Sequence, residues 1–248
     1  MEHIDVILFF VCFLAGFIDS IAGGGGLIQI PGLMLLFPGI PAPSLLATNK
    51  VASISGTFMA TVKYMRNFKL NKIEIFLFGP LALIFSALGA SIVSYLDQSM
   101  IRPIVLCALA LVLIFTIIPK SEKTKSQALS KAKLAVFAMF AALIALYDGF
   151  LGAGTGGFLI FAAVHVLALP YDRSGALAKY LNLMSNIGAI AAFLALAPIL
   201  WLKAAIMIPA NMLGAFVGSH LVIVLGSKLV RYAMIAVTTC LLVKMALT

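Results

Sequence analysis

Asp19-Ser20-Ile21-Ala22-Gly23-Gly24-Gly25-Gly26 interrupts an apolar run that otherwise extends from Val6 to Phe37. Each glycine costs a helix about 1 kcal/mol relative to Ala, so four in a row predict that the run unwinds there. A counterpart, Asp148-Gly149-Phe150-Leu151-Gly152-Ala153-Gly154-Thr155-Gly156-Gly157, interrupts a second run between Phe137 and Ala168. Unwound backbone at membrane depth is tolerated only where protein or water surrounds it. Breaks at matching places in two halves of a chain point to the binding site of a transporter.

Composition sets the surroundings of these breaks. With 63% hydrophobic residues, 10% charged residues and a mean hydropathy of +1.17, the chain lies outside the range of soluble domains. At about 20 apolar residues per span, 248 residues accommodate seven or eight membrane helices and no sizeable soluble domain. The formal net charge of +9 is concentrated in two places: Lys63, Arg66, Lys69 and Lys72, and then Lys120, Lys123, Lys125, Lys131 and Lys133. No soluble reading module or aromatic-interleaved basic face accompanies them, so they read as cytoplasmic loops under the positive-inside rule, not as a nucleic-acid surface. Both loops in the cytoplasm place the N- and C-termini there too, with the two halves in parallel orientation. A re-entrant hairpin at either glycine stretch would instead permit inverted halves.

The second half repeats the first. Adding 129 to a residue number carries Asp19 to Asp148, Gly23 to Gly152, Gly25 to Gly154, Pro41 to Pro170 and Lys50 to Lys179. It also carries Pro80 to Pro209, Gly89 to Gly218 and Arg102 to Arg231. Matches of Leu and Ala are expected between membrane segments, whereas matched Asp, Lys, Arg and Pro are the mark of duplication. The expected fold is therefore an all-α polytopic membrane protein of about eight spans in two tandem four-span repeats, the first helix of each broken at its glycine motif. Residues 1–118 form the first repeat, 119–133 the basic linker and 134–248 the second repeat.

After the first broken run, the expected spans are Ser44 to Met65, Ile73 to Leu96 with a kink at Pro80, and Ile101 to Ile118. Those of the second half are Ser174 to Ala197, Leu200 to Val224 and Leu229 to Leu247, following the broken run. Cys12, Cys107 and Cys240 fall inside spans without ligand spacing and read as packing residues, as does the lone His165; Trp201 reads as an interfacial anchor. The acidic start Met1-Glu2-His3-Ile4-Asp5 lacks the basic region of a cleaved signal. No hydrolytic triad, phosphate-binding loop or His/Cys cluster is present, so neither a cofactor nor a metal is called for and nucleotide-driven pumping is disfavoured.

An oxyanion needs N–H donors and positive potential, and a helix that begins after glycines offers both. The first candidate site is therefore Gly23, Gly24, Gly25, Gly26 and Leu27, with Gly154, Thr155, Gly156, Gly157 and Phe158 in the second half. Lys50 and Lys179 lie several residues inside their spans, where a lysine costs at least about 2.5 kcal/mol and usually faces a cavity or a partner. They can bind the anion from two sides, or pair with Asp19 and Asp148 to hold the fold. Thr48, Asn49, Ser53, Thr57, Asn182, Ser185 and Asn186 can complete the hydrogen bonding, with Gln29 and Asn211 as weaker candidates. Asp19 and Asp148 repel an anion unless protonated or paired, which makes them candidates for proton coupling.

Gly16-Phe17-Ile18-Asp19-Ser20-Ile21-Ala22-Gly23-Gly24-Gly25-Gly26-Leu27-Ile28, then Pro31 and Ala47-Thr48-Asn49-Lys50, resembles the signature of the TauE/SafE sulfite exporter family of bacterial permeases. Gly152 to Gly157 and Ala178-Lys179-Tyr180-Leu181-Asn182 resemble that family's second copy, and the resemblance covers essentially the whole chain. It implies a secondary transporter in the bacterial cytoplasmic membrane, exporting small sulfur-containing anions such as sulfite, sulfoacetate or thiosulfate. Its partners would be a small anion, the lipid bilayer and a coupling proton, with alternating access by rocking of one half against the other. The residues alone leave open an anion channel, a sodium-coupled permease and a membrane-embedded redox enzyme using Cys12 or the aspartates.

Overall fold

The computed structural model describes residues 2–95 and 130–225, together with Pro103, Leu106, Cys107, Thr239 and Val243. Among the described residues there are eight α-helices, one short π-helix and no strand. They are α1 (Glu2–Ala22), α2 (Gly26–Leu36), α3 (Ala42–Asn67), the π-helix (Glu74–Phe78) leading into α4 (Gly79–Ser94), α5 (Lys131–Phe150), α6 (Thr155–Val166), α7 (Tyr171–Leu196) and α8 (Trp201–Leu225). The expected spans 101–118 and 229–247, the rest of the linker, and Arg102, Arg231 and Cys240 lie outside the described residues.

The bundle is apolar outside and holds its charged and polar side chains within an apolar interior. Large apolar side chains such as Phe10, Leu14, Ile84, Leu88, Leu143 and Phe216 are exposed, while Asp148, Lys50, Lys179, Asn186 and Asn211 are buried. That inversion is what a lipid solvent demands, since every polar group must then be satisfied within the protein. Among the described residues, five helices are long and apolar enough to cross a membrane: α1, the π-helix with α4, α5, α7 and α8. α3 equals α7 in length but carries the interior series Thr48, Asn49, Lys50, Ser53, Ser55 and Thr57.

Each glycine motif ends a hairpin. α1 has 21 residues, about 31 Å of helix, and so spans the bundle by itself. The 11-residue α2 then folds back, with Gly32 against the Val11 side chain and Leu33 in one apolar cluster with Leu8 and Cys12. α6 returns along α5 in the same way: Leu159, Ala162 and Ala163 pack with Phe137, Ala141 and Ala145. The break is thus a re-entrant turn, where the sequence suggested a half-helix continuing across the membrane. α6 starts at Thr155, three residues before the expected Phe158, and Lys131 and Lys133 belong to α5 instead of the linker.

Pairwise contacts fix the helix directions. α1 and α8 run together, from the Lys203–Asp5 ion pair at their starts to Gly218 against the Phe17 carbonyl. α3 runs with α8, from Leu200 N–H on Thr48 Oγ1 to Lys63 over the Phe216 ring. α4 runs with α5, from the Phe78–Phe137 ring contact to Gly89 against the Leu146 carbonyl. α7 runs with α4, from Arg173–Glu74 to Ser185–Ser86. α3 and α7 oppose each other, because Thr61 meets Lys179 while Thr57 meets Asn186.

Helices α1, α3 and α8 therefore point one way and α4, α5 and α7 the other. Helices 129 residues apart (α1 and α5, α3 and α7, α4 and α8) are antiparallel, so the parallel orientation expected from the loops gives way. The end carrying Lys63, Arg66, Lys69 and Lys72 is also where α5 begins, as Leu70 and Leu134 share one apolar cluster. The N-terminal end of α1 lies at the opposite end with Asp5 and Lys203. A cytoplasmic N-terminus and a cytoplasmic basic loop are thus incompatible in this bundle.

Close helix approach relies on glycine. A Cβ on Gly23 or Gly156 would fall on the other's Cα, so the two turns touch backbone to backbone, and Gly156 N–H donates to Gly23 O at 3.1 Å. The kink expected at Pro80 takes the form of the π-helix. Proline has no N–H to return to Ile75 O five residues back, and the Tyr180 hydroxyl donates to that carbonyl at 3.0 Å.

Two measurements check this arrangement. Gly156→Ala drives a Cβ into Gly23 backbone and is expected to cost about 1–3 kcal/mol, read as a lowered melting temperature in detergent. In a chain whose native cysteines are replaced, His3→Cys and Lys69→Cys are expected to react with a membrane-impermeant maleimide from opposite faces of the membrane. Labelling from one face would restore the parallel arrangement.

Candidate functional site

Both hairpins carry an aspartate near the end of the long leg. Lys50 of α3 meets Asp148 Oδ2 at 2.8 Å, and Lys179 of α7 meets Asp19 Oδ2 at 3.0 Å. Both lysine side chains are almost fully buried. Each lysine therefore pairs with the aspartate of the other half, and not with the one that precedes it in its own half. Lys179 also donates to the Asp19 carbonyl.

The two pairs belong to one hydrogen-bonded chain. Lys50 Nζ donates to Asn186 Oδ1 at 3.1 Å, Asn186 Nδ2 donates to Thr57 Oγ1 at 3.3 Å, and Thr57 Oγ1 lies 3.5 Å from Asp19 Oδ2. Thr57 and Asn186 are themselves 129 residues apart. Lys50, Thr57 and Thr61 recur at helical spacing, so α3 turns one polar stripe toward α7. Asp148 further accepts from Thr155 Oγ1 at 2.7 Å and from the Ser185 hydroxyl. Buried charges are retained when paired and hydrogen-bonded, and this network does both.

The turn is shaped around the pair. Gly152, at φ +81°, leaves space that a Cβ would take, 2.8 Å from Lys50 Nζ and 2.9 Å from Asp148 Oδ1. Gly26 lies against the Gly152 carbonyl, so each glycine stretch lines the other. Gly25 N–H points at Asp19 Oδ1 from 3.4 Å.

The remaining sequence candidates divide into two groups. Gly154 caps α6 in the left-handed conformation, and its carbonyl accepts from Gly157 N–H at 3.0 Å and from Phe158 N–H. Gly24 O and Gly25 O accept from Leu27, Ile28 and Gln29 N–H in the same manner. In this conformation those amides are used within the turns, and Leu27 is fully buried in the apolar core. Phe158 packs edge-on against Tyr147. Thr48 is engaged by the Ser44 carbonyl and Leu200 N–H, away from the lysines. Asn49 and Asn182 are buried on α3 and α7, Asn49 Oδ1 has no partner, and Ser53 is half-buried.

Gln29 and Asn211 are brought together, with Asn211 Nδ2 donating to Gln29 Oε1 at 2.9 Å. His165 lies exposed, stacked on Phe161, so it packs at the bundle surface and not in the core; Trp201 is exposed at the start of α8, and Cys12 is buried. Sequence reasoning missed Ser86, which donates to Ser185 O at 2.6 Å, and the pair of Glu74 with Arg173 at 2.8 Å. Ser86 carried no signal because the position 129 residues on is Ala215. Glu74 did, as an acid inside an apolar run.

A lipid-facing bundle with paired charges at its heart, beside two re-entrant hairpins, defines a membrane transporter. Residues 8–245 match the family model described as "Sulfite exporter TauE/SafE". The chain is 34% identical over 241 residues to "Probable membrane transporter protein YfcA" of Escherichia coli K12, covering 96% of this chain and 88% of that one. It is 33% identical over 243 residues to a "Probable membrane transporter protein" of Haemophilus influenzae, covering 96% and 93%. The chain therefore belongs to the TauE/SafE family of membrane transporters. No solved structure matches it.

Lys50→Met strands the Asp148 carboxylate in the interior and is expected to cost about 3–5 kcal/mol, read by thermal unfolding in detergent. Adding Asp148→Asn removes the stranded charge and is expected to recover most of that loss. Equal melting temperatures for the single and double variants would show that the pair is not coupled.

Proposed function

We propose that the protein is a secondary transporter that exports small sulfur-containing anions, of the sulfite, sulfoacetate or thiosulfate kind, in exchange of partners at the two buried lysines. The observation that carries this reading is the pairing of Lys50 and Lys179 with aspartates across the halves, with side chains almost inaccessible to solvent. Two ammonium groups in an apolar bundle are the strongest attraction it offers to a small anion.

An anion that takes a lysine displaces a carboxylate. Leaving that carboxylate charged and unpaired costs about 3–5 kcal/mol, so displacement is feasible when a proton neutralises the displaced carboxylate in the same step. Proton and anion then load together, and the same groups pair again on release. A doubly charged anion that moves with one proton carries one net negative charge. An inside-negative potential drives that charge outward by about 2.3 kcal/mol per 100 mV, which supports export.

The turns supply the remaining donors. Separation of Gly23 from Gly156 frees the Gly156 N–H at the start of α6, beside Thr155, and with Asn182, Asn186 and Ser53 we assign it to the anion's remaining donors. We take the chain as a duplication with inverted halves. The apolar cluster of Leu8, Cys12, Leu33, Ala52 and Met207 supports this, since Phe137, Ala141, Ala162, Leu181 and Phe78 cluster 129 residues away. With Lys63 to Lys72 and the linker in the cytoplasm of a bacterium, the N-terminus faces outside the inner membrane.

Purified protein in liposomes is expected to take up labelled sulfite, with sulfoacetate and thiosulfate competing, and Lys50→Gln or Lys179→Gln is expected to reduce the flux at least about tenfold, the loss of roughly 1.4 kcal/mol or more of interaction. Uptake that neither substitution changes would refute the lysine site, and no flux of any of the three anions would refute the transport reading.

A further inference from the structure

The two ion pairs occupy matching places and are built differently. Asp148 accepts from Lys50, from Thr155 Oγ1 at 2.7 Å and from the Ser185 hydroxyl, and its side chain is 2% exposed. Asp19 accepts from Lys179, but its other contacts are Gly25 N–H at 3.4 Å and Thr57 Oγ1 at 3.5 Å, and its side chain is 14% exposed. The residues 129 positions before Thr155 and Ser185 are Gly26 and Gly56, so both hydroxyls are missing on this side.

The packing keeps them missing. A Cβ on Gly26 would meet Gly152 O at 2.7 Å, and one on Gly56 would fall on the Asn211 side-chain oxygen. Weak hydrogen bonding of Asp19 is thus enforced by neighbouring backbone and side chains. A carboxylate held by several donors resists displacement from its lysine, and one held by few gives way.

The hairpin that ends in Asp19 also holds a donor with nothing to donate to. Gln29 is fully buried in the first turns of α2; its Oε1 is taken by Asn211, and its Nε2 has no partner. An unpaired buried N–H is costly to retain, and an oxyanion is the acceptor that satisfies it. The matching position on the other hairpin is Phe158, which offers an anion nothing.

From these observations we infer that the two pairs divide the work: Lys179 and Asp19 separate to take the anion and the proton, while Lys50 and Asp148 stay closed as the clamp between α3 and the α5–α6 hairpin. This rests on the anion-transport reading above and narrows its two lysines to one loading site: Lys179 takes the anion, and Lys50 acts by holding Asp148. In the loading step the anion takes the Lys179 ammonium in place of the Asp19 carboxylate, the proton adds to that carboxylate, and Gln29 Nε2–H is the spare donor on the same hairpin. On release the proton leaves and Asp19 pairs again with Lys179. The ionisable groups around Asp19 are few. Lys179 faces it from α7, and from α3 Lys50 reaches it only through Asn186 and Thr57. On α8, Lys203 is held by Asp5 at the far end and His220 is exposed.

The test measures the steady-state accumulation ratio of labelled sulfite in liposomes holding the full-length protein, under a pH difference with the membrane potential clamped at zero. The ratio reports coupling whatever the rate. Wild type with one proton per anion is expected to accumulate about tenfold per pH unit. Asp19→Asn is expected to fall to parity, and Asp148→Asn to keep the wild-type ratio with a melting temperature lower than that of Asp19→Asn. Should Asp148→Asn fail to fold, Ser185→Ala takes its place by withdrawing one donor from Asp148, with the same expectation for the ratio. Accumulation by Asp19→Asn, or parity in Asp148→Asn or Ser185→Ala, would overturn the division of labour. A wild type that moves none of the three anions would overturn the transport reading itself, and the division with it, before any variant is compared.

Discussion

A charge in an apolar medium must have a partner, and the interior of this protein is arranged around that requirement. Lys50 and Lys179 sit deep in α3 and α7, where the surrounding helices shield them from solvent. Their partners, Asp19 and Asp148, come from the opposite halves. Such a pair is weak as a source of stability, because desolvation consumes most of the attraction, yet breaking it from one side is expensive. The pairs therefore specify which hairpin meets which helix more than they hold the bundle together. Cohesion comes instead from close approach, as where Gly89 and Gly218 admit the carbonyls of Leu146 and Phe17.

The same requirement explains why the hairpins are broken by glycine. The turn after α5 must bring Asp148 and Lys50 together with the backbone passing beside them, and Gly152 does this at φ +81° with no side chain in the way. The opposing turn must come close enough for Gly23 O to accept from Gly156 N–H. Break and ion pair are thus one object: a change in the turn moves the carboxylate, and a change at the carboxylate moves the turn.

Much of this was legible in the sequence. The breaks, the 129-residue period and the intramembrane lysines and aspartates each violate the apolar rule of a membrane span, and a violation is what composition reveals. Helix extents were legible too, since Pro41 and Pro170 directly precede α3 and α7. Direction was not. Glycine signals unwinding but not whether the chain continues or turns back, and that is decided by contacts such as Gly32 on Val11. The pairing was half legible: an aspartate and a lysine in each half announce two ion pairs, but their exchange between halves depends on packing that no local pattern encodes. Residues such as Ser86 were invisible, because one serine on an apolar helix has no period and no counterpart.

The packing also decides which parts can move as units. Rocking one half of the chain against the other requires each half to be a body, and here it is not. α1 lies along α8 of the second half, α5 lies along α4 of the first, and glycines set these contacts at backbone distance. The close-packed groups are instead α1 with α8, and α4 with α5 and α7, Gly188 of α7 admitting the Leu83 carbonyl of α4, each with its re-entrant helix folded back upon it. Between them stands α3, which carries Lys50 and meets α7 through its side chains, as at Thr57 and Asn186. A contact between side chains of modest length, such as 3.3 Å from Asn186 Nδ2 to Thr57 Oγ1, is exchanged far more readily than one in which backbone lies on backbone. Movement that changes access to Lys179 is therefore expected to part Asn186 from Thr57 and Gly23 from Gly156, while Lys50 stays on Asp148 and the close-packed groups travel whole.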